Sequence, residues 1–210
     1  MIKILIADDH SVVRQGLKKI LSEESDMKVL GEAGSTDELL ELVRQQQWDV
    51  IVLDISMPGR SGLDVVRDIH EIQPKLPVLF LSMLPEEQYA VRALKAGAVG
   101  YVPKGTNPEE LIKAIRKIYR GGKYISPVVA ENLANAVTAK IDRPLHELLS
   151  GREFEVMRKI AEGKTVTAIA KELHLSVKTI TTYRARVLAK MQMHSNAELA
   201  RYAVENKLIE

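Results

Sequence analysis

The first 120 residues alternate five times between short apolar runs and helix-like segments, and this alternation limits the folds open to the chain. The apolar runs are β-branched, as buried strands are, and cover residues 3–7, 28–32, 50–53, 78–81 and 100–103. Helical spacing of apolar residues follows each run, beginning after Ser11 and Thr36 and then covering 62–72, 86–96 and 108–119. Repeats of this size predict an α/β doubly wound domain with five parallel strands.

The rest of the chain has a different pattern. Gly121-Gly122 ends the fifth helix, and we interpret residues 121–147 as a linker. One short helix is expected in it, from Ser126-Pro127 to about Val137, with residues 142–144 breaking it. From Leu148 onwards four helical segments and no strand are expected. The predicted domains are therefore 1–120, the linker 121–147, and an all-α four-helix domain 148–210.

Composition narrows the function classes. The chain contains no cysteine, which excludes disulfides and thiolate metal sites and favours a reducing compartment. The apolar stretch 76–84 contains a proline and a serine and is far shorter than a membrane span. We therefore expect a soluble, cytoplasmic protein that has no membrane partner.

Charge is unevenly distributed, although the net charge is only +2. Residues 1–120 hold 16 Lys and Arg against 18 Asp and Glu, whereas residues 148–210 hold 11 against 7. Between His174 and Ala197 there is no acidic residue. This asymmetry predicts a basic binding surface near the C-terminal end.

Polar residues stand where four of the five predicted strands end. Asp8 and Asp9 follow the first strand, Asp54 the third, Ser82 the fourth and Lys104 the fifth. In a doubly wound parallel sheet these ends meet at one edge, which is where ligands bind. A single aspartate in such a place is usually a turn residue, but the whole set predicts one shared site.

The chemistry of this set points to phosphoryl transfer. Three crowded carboxylates cannot all stay ionised without a cation, and Mg²⁺ is the hard ion that oxygen ligands suit. One aspartate can then act as the nucleophile while an ammonium and a hydroxyl stabilise the phosphoryl oxygens. A dehalogenase-type phosphatase would need a second aspartate at position 56, which is Ser56, and the sequence has no phosphate-binding glycine loop. We interpret His10 as a surface residue at the start of the first helix.

The C-terminal segment predicts a helix-turn-helix. Ser150-Gly151-Arg152-Glu153 is a capping box that opens one helix. A second helix follows Thr165, the connection at His174-Leu175 is tight, and Ser176 caps a long basic helix from about Val177 to Met191. Its outer face carries small side chains that fit base edges, and the flanking cations suit phosphates. A basic amphipathic helix is often only a solvated surface, so the three-helix context is what favours DNA binding.

Four segments resemble the signature segments of receiver domains, and they are residues 6–10 (IADDH), 52–59 (VLDISMPG), 81–82 (LS) and 101–105 (YVPKG). The resemblance implies a flavodoxin-like receiver in which Asp54 accepts a phosphoryl group. Mg²⁺ would be held by Asp8, Asp9, Asp54 and the backbone carbonyl of Ser56. No enzyme activity is implied beyond Mg²⁺-dependent self-phosphorylation and self-dephosphorylation at Asp54.

The same resemblance assigns a switch. Lys104 and Ser82 would contact the phosphoryl oxygens, and Tyr101 would turn inward when Ser82 moves towards them. Two positions depart from the common pattern. Gly105, and not proline, follows Lys104, and Met83 is larger than the residues often found after the switch hydroxyl.

Residues 149–191 resemble the LuxR-type helix-turn-helix, so that the whole chain resembles the NarL/FixJ class of two-component response regulators. The resemblance places Thr181, Thr182 and Ala185 at base-reading positions, although some relatives have a longer side chain at position 185. The implied backbone contacts are Lys178, Thr179, Tyr183, Arg184, Arg186 and Lys190. A fourth helix, 195–206, would supply a dimer contact.

The resemblance implies a transcription factor that is activated by a cognate histidine kinase. Phosphorylation of Asp54 would release the DNA-binding domain and favour a homodimer on duplex DNA, with RNA polymerase as a candidate further partner. Two other classes stay open at this point. One is a constitutive DNA-binding protein, and the other is an interaction protein whose C-terminal helices contact protein.

Overall fold

The computed structural model describes residues 1–57, 60–131 and 144–209. Three predicted features lie outside these residues. They are the end of the linker helix near Val137, the break at Asp142-Arg143, and Pro58-Gly59 at the end of the receiver-like segment 52–59. The chain forms two compact units, residues 1–139 and 140–210. No described helix is both long enough and apolar enough to cross a lipid bilayer.

The first unit is a five-stranded sheet in the order β2-β1-β3-β4-β5, with every described pair of neighbouring strands parallel. The strands are β1 (Ile2–Ala7), β2 (Met27–Ala33), β3 (Val50–Leu53), β4 (Val78–Ser82) and β5 (Gly100–Pro103). The helices are α1 (Ser11–Ser22), α2 (Thr36–Gln45), α3 (Gly62–Ile72), α4 (Glu86–Lys95) and α5 (Pro108–Tyr119). The predicted doubly wound fold is confirmed.

Burial explains why the inner strands are continuously apolar. All residues of β3 and β4 are buried, because helices cover both faces of a parallel sheet. One core cluster joins Ile4 and Ile6 of β1 to Leu17 of α1 and Ile115 of α5. This packing holds the polar residues that follow each strand at a fixed edge.

Helix caps decide where these helices begin. The Asn107 side chain accepts a hydrogen bond from the backbone N–H of Glu109, and Pro108 occupies the first turn of α5, where its missing N–H costs nothing. The first two caps lie one residue earlier than expected. Ser35 caps α2, and His10 occupies the cap position of α1 without any side-chain capping bond.

The chain after α5 returns to the edge strand. The Tyr124 backbone N–H donates to Val99 at 2.9 Å, and Tyr124 forms an isolated parallel bridge with Gly100. A Cβ at Gly100 would lie 3.0 Å from the Cβ of Tyr124 and 2.8 Å from Leu79, so the close approach requires glycine. The Tyr124 hydroxyl also contacts Glu110 of α5 at 2.5 Å. The first part of the linker segment is therefore attached to β5.

In the described residues the second unit contains helices and no strand. A short 3₁₀ turn (Leu145–Leu148) precedes α6 (Gly151–Ala161), α7 (Val166–Glu172), α8 (Val177–Lys190) and α9 (Asn196–Glu205). The predicted capping box is present, since Ser150 and Glu153 bond to each other's backbone N–H groups. The four-helix prediction is confirmed.

The connection between α7 and α8 is a tight turn. His174 has a φ of 52°, in the left-handed region that non-glycine residues seldom adopt but histidine tolerates better than most. The Leu175 N–H then donates to Ala170 at 2.9 Å and closes the end of α7. This turn joins α7 to α8 through a short connection, as in a helix-turn-helix.

A buried ion pair lies inside the second unit. Arg152 is 2% and Glu155 4% exposed, and the Arg152 guanidinium donates to Glu155 at 2.6 Å. We expect Glu155→Ala to lower the free energy of unfolding of this unit by about 3–5 kcal/mol, because it breaks a buried ion pair by removing one partner. The exposed Glu162→Ala is the matched control and should cost about 0.5 kcal/mol or less.

Denaturation of the full chain can assign the loss to one unit. Trp48 is the single tryptophan, and it lies 5% exposed in the first unit, so its fluorescence reports that unit alone. Far-ultraviolet circular dichroism reports the helices of both units. For Glu155→Ala we expect the dichroism transition to begin at a lower denaturant concentration, while the transition in Trp48 fluorescence stays unchanged. Equal stability of the Glu155→Ala and Glu162→Ala variants would show that the ion pair is dispensable.

Candidate functional site

The structure brings four of the predicted residues together at the carboxyl edge of the sheet. The Lys104 ammonium lies 2.7 Å from Asp8 Oδ2 and 2.8 Å from Asp54 Oδ2. The side chains of Asp8 and Asp54 are each 3% exposed. Four residues each place one potential metal-ligand atom within 4.8 Å of the others, and they are Asp8, Asp9, His10 and Asp54. A buried acidic cluster therefore lies where the sequence predicts it.

Electrostatics holds Lys104 in its charged form. Burial alone would lower the pKa of Lys104, but the Asp54 and Asp8 carboxylates outweigh it, so that the pKa lies above its usual value. The ammonium can therefore stabilise negative charge that develops on a group bound to Asp54.

Backbone contacts fix the position of Asp54. Its N–H donates to the Ala7 carbonyl at 2.8 Å, which ties the end of β3 to the end of β1. Gly62, the first residue of α3, packs directly against this loop. A Cβ at Gly62 would lie 2.6 Å from the Asp54 carbonyl oxygen, so a larger residue would displace the aspartate. The Ser56 N–H donates to Asp54 Oδ1 at 3.3 Å, so the Ser56 backbone lies beside the carboxylate.

Ser82 and Tyr101 lie at the next two strands. Ser82 is 1% exposed at the end of β4, and its hydroxyl accepts from the Leu84 N–H at 3.3 Å. Tyr101 is 2% exposed, and its hydroxyl donates to the Leu84 carbonyl at 2.6 Å. Burial raises the pKa of Tyr101, so the phenol stays protonated and can donate. Tyr101 is thus buried, with its hydroxyl bonded to the loop that follows β4.

Two contacts of the acidic cluster were not predicted from the sequence. His10 lies at the surface as expected, with its side chain 66% exposed, yet its Nδ1 is 2.7 Å from Asp9 Oδ1. The Arg14 guanidinium donates to the Asp8 carbonyl at 2.6 Å and so braces the loop after β1. The only sequence signal for Arg14 is its place on the first turn of α1, close to Asp8.

The residues of the cluster fit a metal ion. Asp9 Oδ1 is buried, and its polar neighbour among the described residues is the His10 ring nitrogen at 2.7 Å. Asp8, Asp9 and Asp54 offer hard oxygen donors, which suit a divalent cation. The acidic pocket can therefore hold a metal ion, and Lys104 alone does not balance its three carboxylates.

The helix α8 presents the predicted polar face to solvent. Thr181, Thr182 and Ala185 are exposed, while Ile180 and Val187 on the opposite face are buried. Thr181 and Thr182 donate their hydroxyls to backbone carbonyls one turn earlier, at 2.9 and 3.0 Å. Their methyl groups are then free to face outward, which suits contact with thymine methyl groups.

The predicted backbone-contact residues divide into two sets. Lys178 and Arg186 are exposed and line one shallow cleft together with Thr179, Thr182 and Tyr183. Arg184 and Lys190 bond within the unit instead. Arg184 donates to Asn196 of α9 at 2.7 Å, and Lys190 donates to the buried Glu153 of α6 at 2.6 Å.

The Lys190–Glu153 contact predicts a pH effect on stability. Burial would raise the pKa of Glu153, but bonds from Lys190 and the Ser150 backbone outweigh it and hold the pKa below its usual 4.5. A lowered folded-state pKa contributes stability that is present above pH 4.5 and is lost as the pH falls. We expect Glu153→Gln, which keeps the capping bond, to flatten this acid loss in dichroism melts. Glu205→Gln, which replaces an exposed carboxylate on α9, is the control and should leave the acid loss unchanged.

Comparison with known proteins identifies the chain. The family model described as the response regulator receiver domain matches residues 4–116, more than half of the chain. The model for bacterial regulatory proteins of the luxR family matches residues 147–203. The chain belongs to the NarL/FixJ class of two-component response regulators. It is a DNA-binding regulator of transcription, and its family consists of transcription regulators and not of classical enzymes.

Relatives match this response regulator over its full length. It is 36% identical to the response regulator GacA of Pseudomonas aeruginosa, covering 100% of the chain and 99% of the relative. It is 38% identical to the oxygen regulatory protein NreC of Staphylococcus carnosus, covering 99% of each. A solved structure of RcsB from Salmonella enterica serovar Typhimurium, bound to promoter P1flhDC in the presence of phosphomimetic BeF₃⁻, is 29% identical, with a TM-score of 0.60 and 96% and 97% of the two chains covered.

Proposed function

We propose that the protein is a phosphorylation-controlled transcription regulator in which Asp54 is the phosphoacceptor. A cognate histidine kinase supplies the phosphoryl group, and small donors such as acetyl phosphate can replace it. The observation that carries the proposal is the Lys104 ammonium, which bridges Asp8 and Asp54 in a buried acidic cluster. A structural ion pair would not need three carboxylates for one ammonium.

The chemistry follows from the positions of these groups. An Asp54 carboxylate oxygen attacks the phosphorus, the bond from phosphorus to the donor nitrogen breaks, and the histidine leaves. Lys104 then stabilises the phosphoryl oxygens. Ser82, which is buried at the end of β4, supplies a hydroxyl donor to the same oxygens. Mg²⁺, held by Asp8, Asp9, Asp54 and the Ser56 carbonyl, would neutralise phosphoryl charge when bound.

Strand β5 connects the phosphorylation site to the linker. Tyr101 on this strand is the switch residue, and the neighbouring Gly100 is bridged to Tyr124 in the linker. A change at Tyr101 therefore acts on the strand to which the linker is attached. We propose that this contact passes the phosphorylation state to the linker, releases the DNA-binding domain and favours a homodimer.

On DNA, α8 is the recognition helix. Thr181, Thr182 and Ala185 face the base edges, and the exposed Lys178 and Arg186 contact phosphates. The remaining candidates for backbone contact are Thr179, Tyr183, Arg184 and Lys190. RNA polymerase is the candidate further partner of the DNA-bound dimer, and the cytoplasm is the compartment that the absence of cysteine favours.

Binding to random-sequence duplexes over a range of salt concentrations tests the proposal. Protein treated with acetyl phosphate and Mg²⁺ should bind more tightly than untreated protein, with a steep loss of affinity as salt rises. Equal affinity with and without acetyl phosphate would favour a constitutive DNA-binding protein. Binding to no duplex in either state would favour an interaction protein whose C-terminal helices contact protein.

A further inference from the structure

The segment that runs from α5 into the linker is strongly basic. Between Glu110 and Glu131 there is no acidic residue, whereas five Lys and Arg residues occur there. They are Lys113, Arg116, Lys117, Arg120 and Lys123. Residues 1–120 as a whole hold more Asp and Glu than Lys and Arg, so the sign of the charge reverses locally. The acid-free segment around the recognition helix α8 has the same pattern, which is typical of an anion-binding surface.

Helical geometry places three of these cations on one stripe. Lys113, Lys117 and Arg120 stand at positions i, i+4 and i+7, which share one face of a helix. We call these three exposed residues the basic stripe. With Arg116 and Gly122 they line an open cleft of about 410 Å³. The basic stripe spans about 10 Å along the helix axis. One DNA strand carries a phosphate about every 3.4 Å of axis, so the stripe can meet three phosphates.

The carboxylates nearest to α5 neutralise Arg116 and not the basic stripe. The Arg116 guanidinium donates to Asp26 at 2.7 Å and to Glu24 at 2.5 Å. None of the ion pairs among the described residues includes a cation of the basic stripe. Its three charges are therefore available to an anion from outside the chain.

Stabilisation of α5 does not account for all of these cations. A cation near the C-terminal end of a helix interacts favourably with the helix dipole. Lys117 lies in the last turn of α5 and Arg120 is its C-cap residue, so both have this role. Lys113 lies one turn earlier and Lys123 lies beyond the helix. An anion-binding surface accounts for all four positions.

We propose that the basic stripe is a second DNA-binding surface, which contacts phosphates of the duplex that α8 binds. Phosphate contacts need exposed cations and carry no sequence information. Both surfaces belong to one chain, so the receiver contact becomes intramolecular once α8 is bound, and even weak contacts then add to the affinity. The proposal rests on duplex binding by α8, and it adds a contact that the receiver itself makes.

The salt dependence of duplex binding by the full chain tests this proposal. A triple variant carries Lys113→Gln, Lys117→Gln and Arg120→Gln, and glutamine preserves the helix propensity of these positions. On long random-sequence duplexes the variant should show a slope of log affinity against log salt that is smaller by about 2–3 than that of the wild type. Unchanged Trp48 fluorescence would confirm that the receiver is folded.

The matched control removes the same charge from elsewhere in the receiver. It replaces three exposed cations that form no ion pair among the described residues, and these are Lys28, Arg44 and Arg67, each changed to glutamine. The control should keep the wild-type salt slope. Equal reductions of the slope in the two triple variants would mean that net charge alone matters, and the inference would be wrong.

Crosslinking tests the contact directly. The chain contains no cysteine, so one introduced cysteine can carry a photocrosslinker without competing sites. Lys117→Cys labelled with benzophenone should crosslink to the bound duplex. Arg67→Cys, labelled in the same way on the exposed side of α3, should not.

The outcomes separate this inference from the proposed function. If the wild type binds duplex DNA but the stripe variant keeps its salt slope, or if labelled Lys117→Cys does not crosslink, the inference is wrong and the role of α8 stands. A stripe variant that fails to dimerise in sedimentation yet keeps the slope would assign the surface to a protein contact, which also overturns the inference. If the wild type binds no duplex, both the inference and the proposed function are wrong.

Discussion

Asp54→Asn is expected to abolish covalent phosphorylation by acetyl phosphate and Mg²⁺. The amide is nearly the same size as the carboxylate, but its oxygen is a far weaker nucleophile. The substitution also removes one of three crowded carboxylates while Lys104 keeps its contact with Asp8 at 2.7 Å, so the fold should remain. Intact-protein mass spectrometry should show a phosphorylated species for the wild type and none for the variant.

The control replaces an aspartate of a different kind. Asp37 lies exposed in the first turn of α2, and Asp37→Asn should be phosphorylated as the wild type is. Unchanged Trp48 fluorescence of Asp54→Asn would confirm that the receiver is folded. A folded Asp54→Asn protein that still takes up a phosphoryl group would place the acceptor at another residue.

The second large effect is expected on the affinity for DNA and on its salt dependence. Lys178 and Arg186 are exposed beside the threonines of α8, and each should neutralise one phosphate. Replacing both with methionine should reduce the slope of log affinity against log salt by about 2, and should weaken binding roughly thirtyfold at about 0.15 M salt. The loss should be uniform across duplex sequences, because phosphates carry no sequence information. Fluorescence anisotropy with random-sequence duplexes measures both quantities.

Lys190→Met is the control for this experiment, because it removes a cation of α8 that bonds within the second unit. Its ammonium bonds to Glu153 at 2.6 Å, and Glu153 is 3% exposed. Its removal should lower the free energy of unfolding of the second unit, because it leaves a buried carboxylate without its cation. The slope of log affinity against log salt should change little. A salt slope reduced by Lys190→Met and unchanged by the double substitution would contradict the assigned DNA face.

The acidic cluster was predictable because it depends on topology. Once five parallel strands are expected, the residues after their ends must meet at one edge, and the structure places Asp8, Asp54 and Lys104 within hydrogen-bond distance there. The helix-turn-helix was predictable for a similar reason. Ser150, Thr165 and Ser176 cap three successive helices through local side-chain bonds, and such bonds are visible in sequence.

Long-range contacts were not predictable in the same way. Helical spacing places Lys190 on the basic face of α8, but it does not reveal that a buried glutamate on another helix takes its ammonium. The bridge between Gly100 and Tyr124 depends equally on how the chain turns after α5. The contact between the His10 ring and Asp9 depends on the path of the loop after β1, which the sequence pattern does not specify.

Beryllofluoride binding tests the central claim most directly, since this ion mimics the aspartyl phosphate. Dimerisation and duplex affinity would be measured for the wild type and Asp54→Ala in Mg²⁺, with and without beryllofluoride, by sedimentation and by anisotropy. We expect only the wild type to dimerise and to bind duplex DNA more tightly when beryllofluoride is present. If both proteins bind DNA equally and neither responds to beryllofluoride, Asp54 does not control this regulator.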